Sequence, residues 1–276
     1  MGIFPFQLML ERIGLKQVAR IKGEAMKVTT GIKSYSSSEE DSVRHKFVEH
    51  FKNCPIPDDQ VLANLGLFLN SKTLARILFM HHVYQQIIDV QGLVIDFGTR
   101  WGQNLSLFAA LRGIYEPFNR HRKLVGFDTF KGFPSISEKD GFSDLMQVGG
   151  VTVTENYAEY LNKLMEYQES DNPLSHIKKF EVVAGDAVVE IDKFLKNHPE
   201  TIVALAYFDF DLYKPTRKCL EAIRPHLVKG SVLGFDELND PDSPGETIAL
   251  NEVFGLNNIK LRRYRHASRV SYFVLE

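Results

Sequence analysis

Residues 93–113 read LVIDFGTRWGQNLSLFAALRG, a short apolar run ending in an acid, a turn carrying Gly98 and Gly102, and a periodic apolar stretch. That order predicts a strand, a glycine turn and a helix, the geometry that brings a small ligand to the carboxyl end of a sheet. A dinucleotide fingerprint would place a glycine two residues after Gly98, where the backbone approaches a pyrophosphate. Here that position is Arg100, between Thr99 and Trp101, and no GK[ST] phosphate loop occurs anywhere in the chain. NAD, FAD and nucleoside triphosphates are therefore poor candidates for this turn.

Downstream, short β-rich runs near 124–128, 180–184, 203–210 and 232–236 alternate with helical stretches, and a terminal pair follows near 259–264 and 270–275. Alternation of this kind predicts a mostly parallel sheet covered by helices, with the last hairpin adding an antiparallel strand. The segment 131–150, KGFPSISEKDGFSDLMQVGG, is rich in Gly, Ser and Asp without periodicity, as expected of a long active-site loop. Upstream, residues 1–90 read as a helical extension, a substrate lid or oligomer contact, and residues 91–276 as a ligand-binding catalytic domain. Ser36 to Asp41 reads as a loop leading into a helix over 42–52, and Leu74, Ile77, Leu78, His81, Tyr84, Ile87 and Ile88 recur at helical spacing. That stripe must pack on the following domain or on a second subunit, and a homo-oligomer is expected.

The whole chain of 276 residues suits one large α/β domain or two small ones. Its 44% hydrophobic and 25% charged residues exclude a disordered or membrane-embedded class. A net charge of −2 lacks the basic excess that nucleic-acid backbones require. Cys54 and Cys219 stand alone, without disulfide or zinc spacing. The first residues, MGIFPFQLMLERIGLKQ, meet Glu11 and Arg12 too early for a secretory leader, and Phe6 stands where myristoylation needs Ser or Thr. The expectation is a cytoplasmic protein with no membrane or nucleic-acid partner.

The acids carry the chemistry. Asp96 ends the first strand before the glycine turn, a pattern that suits a ligand with a cationic centre and an amino group, such as S-adenosylmethionine. Glycine serves the same turn in purely structural roles, so the pattern alone leaves both readings open. Asp128, ending LVGFD, can accept from both hydroxyls of a ribose. Asp186, in VVAGDA, can accept from an adenine amino group or simply cap the next helix. Asp209 and Asp211 in AYFDFDLY, then Asp236 and Glu237 in GFDELND, bring four carboxylates to neighbouring strand ends. With no Lys or Arg adjacent to neutralise them, such acids call for a cation, and hard oxygen ligands select Mg²⁺; helix capping and solvated loops are the bland alternative.

VIDFGTRWGQNLSLF, GFDTFKGFP, YFDFDLY and the pair in GFDELN, with NLGLFLNSKTLARILF before them, together resemble the macrocin O-methyltransferase family over about residues 62–240. The resemblance implies a class I methyltransferase fold and a metal- and S-adenosylmethionine-dependent enzyme that methylates sugar hydroxyls. It implies a cofactor site of Asp96, Gly98, Thr99, Gly102, Asp128 and Asp186, and an Mg²⁺ site of Asp209, Asp236 and Glu237, with Asp211 as base. The last metal acid is usually Asp in the sugar-methylating members, whereas this chain has Glu237. Residues 1–90 and 131–150 match less well, and acceptor choice is expected there.

Three other readings compete, one of them a haloacid-dehalogenase-type phosphatase, which also uses DxD after an apolar strand but normally on its first strand and with Thr or Val where this chain has Tyr213. Asp209-Phe210-Asp211 could be the metal-binding DxD of a glycosyltransferase, which would leave the glycine turn idle, or the domain could bind a ligand without turnover. Arg112, Arg120, Arg122 and Lys123 around His121, and Arg262, Arg263, Arg265 and Arg269, read as solvated charge. The pair His81-His82 reads as structural, Trp101 as a helix anchor or a cofactor contact, and His121 as the base to test should Asp211 prove a ligand.

Overall fold

A computed structural model describes residues 36–276 of the chain; the N-terminal expectations for residues 1–35 fall outside the described residues. Seven strands form one sheet in the order β3-β2-β1-β4-β5-β7-β6. They are β1 (Leu93–Phe97), β2 (Leu124–Asp128), β3 (Phe180–Ala184), β4 (Val203–Phe208), β5 (Leu227–Phe235), β6 (Arg262–Arg263) and β7 (Ser271–Val274). Strands β1 to β5 pair in parallel, and β7 runs antiparallel between β5 and β6. Every residue of β1 and β4 is buried, which is why both read as continuous apolar runs rather than alternating ones. This is the class I methyltransferase sheet, with its antiparallel last strand as expected.

Helices α1 (Ser38–Lys52), α2 (Ser71–Gln85), α3 (Gln103–Tyr115), α4 (Tyr157–Ser170), α5 (Ala187–Asn197), α6 (Tyr213–Ile223) and α7 (Gly245–Phe254) complete the frame. One core packs α2, α3 and α4 on one face through Phe79, Phe108, Leu161 and Tyr207; the other packs α5, α6 and α7 through Ile191, Leu220 and Leu250. Among the described residues no helix is long and apolar enough to cross a membrane.

Several expectations shift. The polar run before α1 is its cap: Ser37 and Glu40 form a reciprocal capping box, so the helix starts at Ser38 rather than Ser42. On α2 the sheet-facing residues are Phe79, Met80, Val83 and Tyr84, while Leu74 and Leu78 stay 43% and 40% exposed. The helix is apolar on two faces, and periodicity cannot say which of them meets the sheet. His81 and His82 share hydrogen bonds with the hydroxyls of Tyr115 and Tyr272, at 2.5 and 2.7 Å, a structural role. Strand β4 stops at Phe208, and β6 shrinks to two exposed edge residues.

Arg112 and Arg122 are a clearer correction, for both are buried rather than solvated. Arg122 donates to Glu116 at 2.9 and 3.0 Å and to the carbonyls of Gly92, Ile87 and Val90 at 2.5, 2.9 and 2.9 Å. Arg112 donates to Glu169 at 2.7 Å and to two further carbonyls. These guanidiniums satisfy the carbonyls of chain segments that leave the helices and enter the sheet, a demand invisible in composition. Arg122→Ala is expected to lower unfolding stability by about 3–5 kcal/mol, because Glu116 remains buried without its partner. Urea titration measures it, and a loss below about 1 kcal/mol would place the bridge among weak surface pairs. Burial alone would raise the Glu116 carboxyl, but Arg122, Tyr84 and Asn119 hold it below its ordinary range. Its contribution is therefore complete above that range and disappears as pH falls through the lowered value.

Candidate active site

The parallel ladder runs one residue beyond each strand and sets the acids in fixed relation. Gly98 N donates to Phe127 O at 2.9 Å, Asp209 N to Phe97 O at 2.9 Å and Asp236 N to Phe208 O at 3.0 Å. Gly98 has φ +82°, and a Cβ there would overlap the Asp209 carbonyl, so only glycine lets the exits of β1 and β4 pass this closely. Gly102, at φ +78°, faces Leu161 of α4 and serves helix packing. Above these exits lies a cavity of about 1480 Å³, lined by Gly98, Thr99, Asp128 and Asp186 on one side and by Asp209, Asp211, Asp236 and Glu237 on the other.

Eight of the ten expected site residues thus share one cavity; Asp96 and Gly102 do not line it. Asp96 is wholly buried beneath the wall, where Oδ1 accepts from Asn104 at 3.1 Å and Oδ2 has no partner. Burial pushes its carboxyl up to about 6. Asp128 accepts from the Arg100 and Phe130 amides at 2.8 and 2.6 Å, which orient the carboxylate that burial otherwise raises. Asp186 accepts from Val188 N at 2.9 Å, so it caps α5 while lining the cavity. Trp101 meets Tyr157 edge-on at 4.8 Å and also lines the cavity.

The acid side holds what sequence reasoning missed. Arg76, on α2, donates Nη2 to Asp209 at 2.6 Å, Nη1 to Asp236 at 2.5 Å and Nε to Asn104 at 3.2 Å. Tyr207 donates to the same Asp236 oxygen at 2.7 Å. Glu237 pairs with Arg269, and its Oε2 is buried without a partner. The expectation that no arginine neutralises these acids is corrected: Arg76 and Arg269 arrive from distant segments. Arg269 is an ion-pair partner of Glu237 while its side chain stays 47% exposed. Burial and the charge of Asp236 raise the Asp209 carboxyl, whereas Arg76 and Tyr207 hold Asp236 below its usual range despite burial.

Asp211 differs. It follows the strand in a left-handed turn, φ +60°, and no hydrogen bond or ion pair among the described residues engages its carboxylate. Burial and Asp236 push it up to about 6. Asp209 and Asp211 accordingly do not project from one extended strand. The intervening Phe210 amide donates at 3.0 Å to Glu246, an acid buried at the start of α7 that fixes this turn. An acid just after a glycine in a first helical turn was the one available signal.

Segment 131–150 does border the cavity, through Phe133, Leu145 and Met146 among others. Its ends are closed by Phe133 N to Gly150 O at 3.0 Å and Gly149 N to Phe133 O at 2.9 Å. Asp140 seats its middle: Oδ1 accepts from Tyr213 N at 2.6 Å, an otherwise unmet amide at the start of α6, and Oδ2 from Ser137 N at 2.6 Å. His121 is corrected as a reserve base, since it lies by the amino ends of the strands with Gly92 and Ile202. The histidine that lines the main cavity is His266.

Sheet order, glycine exit and strand-end acids together define a class I methyltransferase. Among solved structures, the chain is similar to CalS11, a calicheamicin methyltransferase, at 38% identity over 92% of this chain and 99% of that one, with a TM-score of 0.85. A second CalS11 structure, described as an apo TDP-rhamnose 3'-O-methyltransferase, matches at 38% identity over 87% and 96% of the two chains, with a TM-score of 0.77. The O-methyltransferase NovP shares the fold at 16% identity over 73% and 79%, with a TM-score of 0.52. No protein-family profile matches the chain. No curated protein matches it either. The chain belongs to the macrocin-type sugar O-methyltransferase family, and it is an O-methyltransferase.

Proposed function

We propose that this enzyme transfers a methyl group from S-adenosylmethionine to a sugar hydroxyl, on a nucleotide sugar or glycoside, with the help of Mg²⁺. The observation that carries the reading is the joining of two differently built walls in one cavity. Its volume of about 1480 Å³ exceeds the ~300–1,000 Å³ that a single small ligand fills, leaving room for donor and acceptor together. CalS11, named for a TDP-rhamnose activity, supports the sugar class.

The Gly98 side fits the donor: Asp128 and Asp186 present carboxylates to the cavity, and Thr99 and Gly98 border it. S-adenosylmethionine would supply an electrophilic methyl group. The opposite side suits a hard cation by donor chemistry, since Asp209, Asp236 and Glu237 offer only oxygens and Glu237 Oε2 is buried without a partner; among the described residues these acids do not stand grouped as a metal site, being held by Arg76 and Arg269. Mg²⁺ held by these three would lower the pKa of an acceptor hydroxyl. Asp211, uncommitted among the acids, takes the proton from that hydroxyl. Glu246 holds the turn on which Asp211 sits, and the loop over 131–150 screens the acceptor from water. Ser36, Glu40 and Lys72 carry the N-terminal extension onto the cavity wall, which supports its reading as a substrate-side element.

Methyl-labelled donor with a panel of nucleoside-diphosphate deoxysugars, glycosides and a catechol tests the reading. Label is expected in a sugar; transfer to the catechol alone would overturn the acceptor class. Asp128→Ala is expected to weaken donor binding by about 1.5–3 kcal/mol, roughly 10- to 150-fold, through lost charge-assisted hydrogen bonds. Calorimetry measures it, and undiminished affinity would remove Asp128 from the site.

A further inference from the structure

Arg76 is held by three acceptors on three different elements: Asp209 after β4, Asp236 after β5 and Asn104 on α3, at 2.6, 2.5 and 3.2 Å. Its guanidinium carbon lies 5.7 Å from the Tyr207 ring centre, so one face of the plane is covered by an aromatic ring as well. A planar fork with each nitrogen given an acceptor is a seat for arginine rather than a passing surface contact. The residue is nonetheless 26% exposed at its side chain and belongs to the helix whose first turn, at Ser71 and Lys72, borders the cavity. It therefore has an open side into which it can withdraw.

We propose that Arg76 is the resident counter-cation of the Asp209–Asp236 pair and competes with the divalent cation for it, so that filling the cation site requires the guanidinium to leave. This rests on the metal reading above. The argument is one of charge and space. Two neighbouring carboxylates repel unless positive charge stands between them, and the guanidinium already stands there within 2.6 Å of both. Mg²⁺ needs oxygens at about 2.0–2.1 Å in near-octahedral array. Arg76 holds Asp209 Oδ2 and Asp236 Oδ1, so an ion drawn to the same two carboxylates would meet a positive guanidinium at repulsive range. The exchange keeps a cation on the pair throughout: arginine offsets one of its two negative charges in the cation-free enzyme, and the metal would offset both in the loaded one. Arg76 then sets the affinity of the site without being one of its ligands. The withdrawal also moves a side chain of α2, tying cation loading to the cavity wall that α2 supplies.

Calorimetric titration of Mg²⁺ into the full-length wild type, Arg76→Lys and Arg76→Gln tests this. Affinity is expected to rise in that order, by about tenfold or more from wild type to Arg76→Gln, since lysine meets one carboxylate where arginine spans two. Without cation, Arg76→Gln is expected to melt below wild type, and Mg²⁺ should raise its Tm by more than it raises that of the wild type. Should Arg76→Gln not fold, the lysine variant carries the comparison alone. Equal or weaker Mg²⁺ affinity in the variants overturns the competition and leaves the metal reading intact. If no form binds a divalent cation and methyl transfer continues, the metal reading falls and this inference with it.

Discussion

Methyl transfer is expected to fall by about 10³-fold or more when divalent cations are exhaustively chelated, and to return on addition of Mg²⁺. A sugar hydroxyl is a weak acid, and a carboxylate cannot by itself remove its proton at neutral pH. Lewis-acid activation contributes several kcal/mol to such a step, and each 1.4 kcal/mol or so is a factor of ten in rate. The carboxylates of Asp209, Asp236 and Glu237, carried on adjacent strand exits, are the oxygens available for that ion. Single-turnover rates at saturating donor, before and after chelation, provide the measurement. Activity that survives chelation would make Arg76 and Arg269 permanent partners of these acids and assign the cluster to structure.

Asp211→Asn should slow single-turnover transfer by about 10²–10⁴-fold while donor and Mg²⁺ affinities stay near wild type. The residual rate should recover in part as pH rises, because solvent hydroxide can replace a missing base. Asp209→Asn is the contrast, since it should weaken Mg²⁺ binding itself. The separation is readable because the two side chains, only two residues apart, stand in different surroundings: one bonded to Arg76, the other uncommitted in a left-handed turn. If Asp211→Asn loses Mg²⁺ as severely as Asp209→Asn, Asp211 is a ligand and His266, on the same cavity, becomes the base to test.

The sheet was legible because β1 and β4 are covered on both faces, and such strands leave unbroken apolar runs in the sequence. The acids were legible because each ends such a run. What crosses between elements was not. Arg76 is separated from Asp209 by 133 residues, and nothing near either residue announces the pairing. On α2, Leu74 and Leu78 fit the apolar period as well as Tyr84 and, just past its end, Ile87, which pack in the core, so spacing mixed two faces of the helix. Phe210 prolongs the apolar run past the end of β4, which hid the turn that gives Asp211 its own surroundings. Arg112 and Arg122 looked like solvent charge because the carbonyls they satisfy belong to segments remote in sequence.

Asp140 gives the loop over 131–150 two regimes of variation. Its tip is free: Phe142 is 92% exposed, and Ser143 beside it borders the cavity. Its fastening is not, because the carboxylate that seats the loop also caps α6 through Tyr213, two residues beyond Asp211. Acceptor range can therefore drift along a lineage by substitution at the tip with the chemistry untouched. A transplanted loop that lacks the aspartate would disturb the start of α6 beside Asp211, so the seat of the loop and the turn that carries Asp211 are inherited together at this residue.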